Sequence, residues 1–295
     1  MKILNFGSLN IDNVYTVEHI VTPGETIASL KLEQFEGGKG LNQSVALAKA
    51  GVGVYHAGCI GSDGDSLKSL LKQSGVNVKH LKTVEQKTGH AVIQVEQSGE
   101  NCILLFAGAN HAVTKPFVDE VLKDFESGDF LVLQNEINNL PYIIDEAYKK
   151  GIKIILNPSP YNEVIEQIDL NKLHCLILNE VEAEYISGTD EGEFRAFARN
   201  NYPNLIFMLT LGKKGCRFIK GDLVLEQGIF KVDTVDTTGA GDTFTGYFVA
   251  GLAAGENIQT ILKVASAASA LAVGKKGAAP SIPTLNEVNE FLNSK

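Results

Sequence analysis

The sequence predicts an α/β chain built on a mostly parallel central sheet, with a small β-sheet lid beside it. Three observations carry that expectation. From about residue 130 onward, short apolar runs alternate with amphipathic segments, the rhythm of strand–helix–strand units. Each of those runs is short enough for a strand buried on both faces, and each hands over to polar residues at its carboxyl end. Residues 83–109, by contrast, are β-like with thin helical periodicity, so they stand outside the rhythm. The 295 residues suffice for one large α/β unit. Residues 1–295 are read as a single domain, with the lid formed by about residues 10–36 and 86–110.

At the amino terminus, MKILNFGSLN opens on a short strand. SLNID then places Asn10 and Asp12 two apart, on one side of a strand. A carboxylate beside an amide suits neighbouring hydroxyls of a polyhydroxyl ligand, and equally an Asx turn. Residues 27–35 read as a strand. Residues 36–48, EGGKGLNQSVALA, put a glycine turn before a helix whose apolar face is Leu41, Val45 and Ala48, with Gly51 closing it. Gly37 and Gly38 allow close backbone approach, and Lys39 and Asn42 offer donors to hydroxyls or phosphate. A plain glycine turn with a solvated lysine has the same pattern. Residues 92–106 read as a hairpin turning at Ser98 to Asn101, and its apolar face is assigned Val92, Val95, Leu104 and Phe106. Residues 115–125 form an amphipathic helix with Phe117, Val118, Val121, Leu122 and Phe125 inward.

Four buried strands follow at residues 130–133, 152–156, 175–178 and 205–209, ending next to Glu136, Asn157, Asn179 and Thr210 respectively. In open parallel sheets, ligands sit beyond the carboxyl ends of the strands. Residues 236–244, DTTGAGDTF, complete that edge. Phe230, Val232 and Val235 read as a strand before it, and Phe244, Phe248 and Leu252 as one helical face after it. Bare N–H groups at such a helix start favour anions, and Asp242 among them is placed to take a proton from an attacking hydroxyl. Asp also caps helices, so this loop alone does not separate catalysis from capping. The third glycine of a dinucleotide fingerprint and the G-K-[ST] of a P-loop are both absent.

Composition narrows the classes. Twenty-six basic against 35 acidic residues, net −9, argue against nucleic acid as a partner. Four cysteines without metal-ligand spacing suit a reduced cytoplasmic protein. The amino-terminal run is too short and polar for a signal peptide, and nothing approaches a membrane span. The six histidines show no metal-ligand spacing.

The motifs GGKGLNQ, NEVE (residues 179–182), TLGKKG (residues 210–215) and DTTGAGDTF resemble, in order and separation, those of the ribokinase-like family of ATP-dependent carbohydrate kinases. SLNID, TPGET, AGAN, NPSP and KKGAAPSIP extend the likeness over essentially the whole chain, closest to the ribose-phosphorylating members. Gly239 departs from the alanine frequent in those members. The resemblance implies a ribokinase-like three-layer sandwich that phosphorylates a sugar's primary hydroxyl, with ATP, Mg²⁺ and an activating K⁺. It further implies that Asn10, Asp12, Gly38, Lys39, Asn42 and Glu136 bind the sugar and that Asp242 is the base. Gly239, Ala240 and Gly241 then form the anion hole. Asn179, Glu182, Thr210, Gly212, Lys213 and Gly215 serve the nucleotide, with Glu182 acting indirectly on magnesium. Asp236, Thr238, Ala272, Lys275, Gly277 and Ser281 hold the monovalent cation, and the lid pairs two copies into a homodimer. A different sugar or nucleoside acceptor, or a silent sugar-binding regulator, remains the alternative.

Overall fold

The computed structural model describes residues 1–295. In chain order the first half comprises β1 (Ile3–Phe6), β2 (Asn10–Val17), β3 (Lys31–Gly37), α1 (Lys39–Lys49), β4 (Val54–Ile60), α2 (Asp65–Gln73), β5 (Asn77–Thr83), β6 (Gly89–Glu96), β7 (Asn101–Phe106) and α3 (Lys115–Leu122). Then come β8 (Phe130–Gln134), α4 (Leu140–Lys149), β9 (Lys153–Asn157), α5 (Glu163–Glu166), β10 (Cys175–Asn179), α6 (Glu180–Ser187) and α7 (Glu191–Asn201). The last part holds β11 (Ile206–Thr210), β12 (Cys216–Lys220), β13 (Leu223–Gln227), α8 (Ala240–Ala254), α9 (Ile258–Val273) and α10 (Leu285–Asn293).

Nine strands form the main sheet in the order β13-β12-β11-β10-β9-β8-β1-β4-β5. It is parallel from β11 to β5, and only the edge pairings β11–β12 and β12–β13 are antiparallel, so β12 alone runs against the rest. Alternate side chains of each strand feed two cores. Ile3, Phe130 and Val132 pack with α1, α8 and α9 on one face, while Leu4, Phe6, Leu131 and Leu133 pack with α3, α4 and α7 on the other. Both faces are covered, which is why β8 to β11 read as unbroken apolar runs.

The helices start where their caps dictate. The Thr114 side chain accepts from Phe117 N with Pro116 in the first turn. At α6, Asn179 and Glu182 form a reciprocal capping box. Asp190 caps α7 through Gly192 N and Glu193 N, so the acidic run around it is a solvated helix entry.

A second, four-stranded sheet, ordered β3-β2-β6-β7, spans residues 10–37 and 89–106, close to where the sequence places the lid. Three local expectations change. The strand expected from residue 27 starts at Lys31, after a turn containing Gly24 at φ 85°. Residues 228–235 form no strand: alternation there finds no neighbour to pair with, and the segment is pinned instead by Val235 N and Asp236 N donating to Val273 O. Finally, Val92 pairs with Leu104 and His90 with Phe106, so those apolar residues share one face. Val95, an odd number of positions from Val92, lies on the other face with Ile93, Ile103 and Leu105.

Candidate active site

The carboxyl ends of β9, β10 and β11 meet the start of α8 at a cleft of about 290 Å³, lined by Lys39, Asn157, Ser159, Ile177, Leu178, Asn179, Glu182, Thr210, Thr237, Gly239, Gly241, Asp242 and Thr245. Backbone geometry opens it. Gly239 caps α8 at φ 75°, a conformation that side chains resist. The N–H groups of Gly239, Gly241 and Asp242 make no hydrogen bond within the chain, whereas that of Ala240 turns to Thr237 O at 3.3 Å. Free donors at a helix start attract anions.

Two glycines bring α1 against this point. A Cβ on Gly246 would meet Ala46 Cβ at 2.3 Å and Leu47 N at 2.9 Å, and one on Gly40 would meet Ser8 N at 2.4 Å. Without them α1 could not lie so close to α8 or to the end of β1. The contact delivers Asn42 Nδ2 to Asp242 Oδ2 at 3.0 Å and Gln43 Nε2 to Asp242 Oδ1 at 2.9 Å. Asp242 is buried and accepts from both amides, while Asn42 Oδ1 has no partner.

Lys39 provides the positive charge. The carboxylate of Asp242 holds its ammonium above the ordinary lysine value against desolvation, and Glu136 and Glu182 add to the effect. Glu136 accepts from Lys39 N at 3.0 Å and from Ser8 Oγ, yet burial still raises its carboxyl above the usual range. Asp12 is pushed up to about 7, first by burial and then by the charge of Glu136. Its carboxylate occupies space left by Gly37, where a Cβ would stand 2.1 Å from Oδ2. Asn10 Oδ1 accepts from Asn110 Nδ2 at 2.7 Å, and the backbone at Gly38, φ 95°, packs on Asn10. Asn10, Asp12, Gly38 and Glu136 thus gather around the amino end of α1, beside the residues lining the cleft.

Among the nucleotide candidates, Asn179, Glu182 and Thr210 line the cleft, whereas Gly212, Lys213 and Gly215 do not; they form the turn from β11 to β12. Glu182 Oε2 accepts from Asn179 N at 3.0 Å, and Oε1 has no protein partner. No group of three or more His, Cys, Asp or Glu side chains suited to a metal ion forms in the chain, this cleft included.

The cation candidates adjoin. Asp236 accepts from Thr238 N at 2.9 Å, Thr238 Oγ1 at 2.7 Å and Gly277 N at 2.9 Å, tying two loops together. The carbonyls of Thr238, Lys275, Gly277 and Ser281 accept nothing within the chain, while that of Ala272 already accepts from Lys275 N. Ser281 Oγ donates to Ala278 O at 2.7 Å, so its side chain is spoken for.

Sequence reasoning missed Gln43, Ser8, Gln134 and Thr237. Gln43 stood inside the GGKGLNQ motif beside Asn42, and a second amide entering a helix next to a glycine turn was the available signal. Gln134 showed only as a polar end to an apolar strand.

Residues 1–285 match the family described as pfkB family carbohydrate kinase. The ribokinase of Haemophilus influenzae is 36% identical over 298 residues, covering 97% of this chain and 96% of that protein. The ribokinase of Cryptococcus neoformans in complex with ADP superposes with a TM-score of 0.86 at 36% identity, covering 98% of this chain and 99% of that one. The Arabidopsis thaliana ribokinase complexed with ribose and ATP gives 0.89 at 28% identity, covering 99% and 98%.

Proposed function

This chain belongs to the pfkB family of carbohydrate kinases, and on that premise we propose that it transfers the γ-phosphoryl group of ATP to the primary hydroxyl of D-ribose, giving ribose 5-phosphate. The observation that carries the reading is Asp242, held by two amides in a cleft with Lys39 and bare N–H groups beside it. The likeness to a ribokinase complexed with ribose and ATP supports the pair of substrates.

Phosphoryl transfer asks a protein mainly for alignment, charge neutralisation and a base. Asn10, Asp12, Asn42 and Glu136 hold the sugar hydroxyls. As the bond from the hydroxyl oxygen to phosphorus forms, the O–H bond breaks and the proton passes to Asp242. The bond from phosphorus to the bridging oxygen of ADP breaks in the same displacement. The N–H groups of Gly239, Gly241 and Asp242 receive the equatorial oxygens, and Lys39 balances charge between the carboxylate and the phosphate. Magnesium, when bound with the nucleotide, neutralises phosphate charge; Glu182, with Oε1 unpaired beside the cleft, suits that neighbourhood, and Mg²⁺ typically takes few protein ligands. A potassium ion would be held by the carbonyls of Thr238, Lys275, Gly277 and Ser281, which accept no hydrogen bond within the chain, and would supply positive charge beside the anion hole.

The second sheet acts as a lid on one domain, excluding water from ATP. It also pairs two copies: Ile103, Leu104, Leu105 and Phe106 on its edge strand are each more than half exposed, and an unpaired apolar edge invites another chain. The reading places the enzyme in the cytoplasm.

The test is steady-state ADP release across a panel of ribose, 2-deoxyribose, ketohexoses and nucleosides. Ribose should give the highest kcat/KM. A higher value for another acceptor moves the assignment to that acceptor, because a site pairing a given hydroxyl rejects analogues lacking it.

A further inference from the structure

Behind Asp242 runs a continuous file of buried amides. Gln43 donates Nε2 to Asp242 Oδ1 at 2.9 Å and accepts at Oε1 from Gln134 Nε2 at 2.7 Å. Gln134 Nε2 also donates to Asn5 Oδ1 at 2.9 Å. Asn5 Nδ2 then donates to Gly40 O at 2.7 Å and Ser44 Oγ at 2.8 Å, and Ser44 Oγ meets His56 Nδ1 at 2.8 Å. All five supporting side chains are fully buried.

The direction of this file is fixed at both ends. An ionised carboxylate only accepts, so Gln43 must turn its amide nitrogen to Asp242 and its oxygen to Gln134. The Gly40 carbonyl also only accepts, so Asn5 must turn its nitrogen that way and its oxygen to Gln134. Ser44 Oγ, receiving from Asn5, is in hydrogen-bond contact with His56 Nδ1; burial lowers the imidazole pKa to about 3 and keeps the ring neutral. Gln134 Oε1 is left without a partner, in a space where a Cβ on Gly7 would stand 2.2 Å away. The fold thus strands one buried acceptor, ordinarily a destabilising feature, while both protons of the Gln134 amide are committed to Gln43 and Asn5.

We infer that Gln43 is a positioning residue for the reacting carboxylate, locked by Gln134 and Asn5 so that Asp242 is presented in one orientation. The inference rests on Asp242 acting as the base. Gln43 touches neither substrate in this account; it acts through Asp242.

The experiment compares wild type with Gln43→Leu and Gln134→Met, measuring kcat, KM for ribose and for ATP, and the pH profile of kcat. Supports of reacting groups are typically worth about 10–100-fold, so kcat of Gln43→Leu should fall by about that factor with both KM values within about twofold. The acid limb of its profile should move to higher pH, because the carboxylate loses a donor to its charged form. The charged groups facing Asp242 from the neighbouring elements, Lys39, Glu136 and Glu182, are unchanged in both variants. Gln134→Met, which leaves Gln43 in place but unanchored, should show a smaller loss in the same direction, and it carries the test if Gln43→Leu does not fold. A folded variant with unchanged kcat and an unmoved acid limb, or a loss confined to KM, overturns the positioning role. A wild type inactive on every sugar rejects the phosphotransfer reading instead, so the two failures are distinct.

Discussion

Replacing Asp12 with asparagine should stabilise the protein above neutral pH and leave it little changed near pH 4. The side chain is largely buried in the space provided by Gly37, and burial followed by the Glu136 charge raises its carboxyl from 3.8 to about 7. Between those values the folded state binds more protons at this position than the unfolded chain does. Stability therefore falls as pH rises through that window and stays lower above it. At about 1.4 kcal/mol per pH unit, the displacement amounts to at most about 4 kcal/mol. Asp12→Asn removes the charge and keeps the volume, so its advantage should grow from near zero at about pH 4 to about 2–4 kcal/mol at about pH 8. Glu136, the charged group that acts on Asp12, remains in both proteins. The assay is urea unfolding at a series of pH values without sugar. Parallel stability curves for the two proteins, with no divergence between pH 4 and 8, would refute the claim that this carboxyl is held neutral by its surroundings.

Three further outcomes are expected. Asp242→Asn should lower kcat by about 10²–10⁴-fold while sugar binding, followed by calorimetry, largely survives; undiminished turnover would remove Asp242 from the chemistry. Gly246→Ala, whose new methyl would meet Ala46 Cβ at 2.3 Å, should cost about 1–3 kcal/mol in thermal or urea unfolding, and a neutral effect would contradict the close α1–α8 packing. Leu104→Asp, at a residue 69% exposed on the edge strand, should shift sedimentation from dimer to monomer; a wild type already monomeric at micromolar concentration rules out pairing through this sheet.

The parallel half of the fold was legible because it obeys one simple rule. Strands β8 to β11 are covered on both faces, so residues such as Phe130 to Leu133 show as unbroken apolar runs. Their polar ends pointed to the cleft for the same reason, since Asn179 and Thr210 are register partners at one edge of the sheet. Elsewhere the local pattern carried less. Phe230 to Val235 alternates like a strand, but the end of the segment is tied to α9 through Val235 N and Asp236 N donating to Val273 O, and no ladder forms. Val95 was assigned to the face of Val92, although strand parity separates positions three apart. The amide file behind Asp242 joins Gln43 to Gln134 across 91 positions, and no local periodicity encodes a pairing at that distance. The motif around Asn42 marked the reacting end of the file and said nothing of its support.

The central claim is chemical: the carboxylate of Asp242 accepts a proton from the primary hydroxyl of ribose while phosphorus is delivered to that oxygen. Phosphorus and carbon NMR of the product formed from ATP, magnesium and ¹³C-labelled ribose tests it most directly. The account predicts a single phosphomonoester coupled to carbon 5, formed in step with ADP and lost with Asp242→Asn. A phosphate on carbon 1, or ADP released at the same rate with and without ribose, would contradict it.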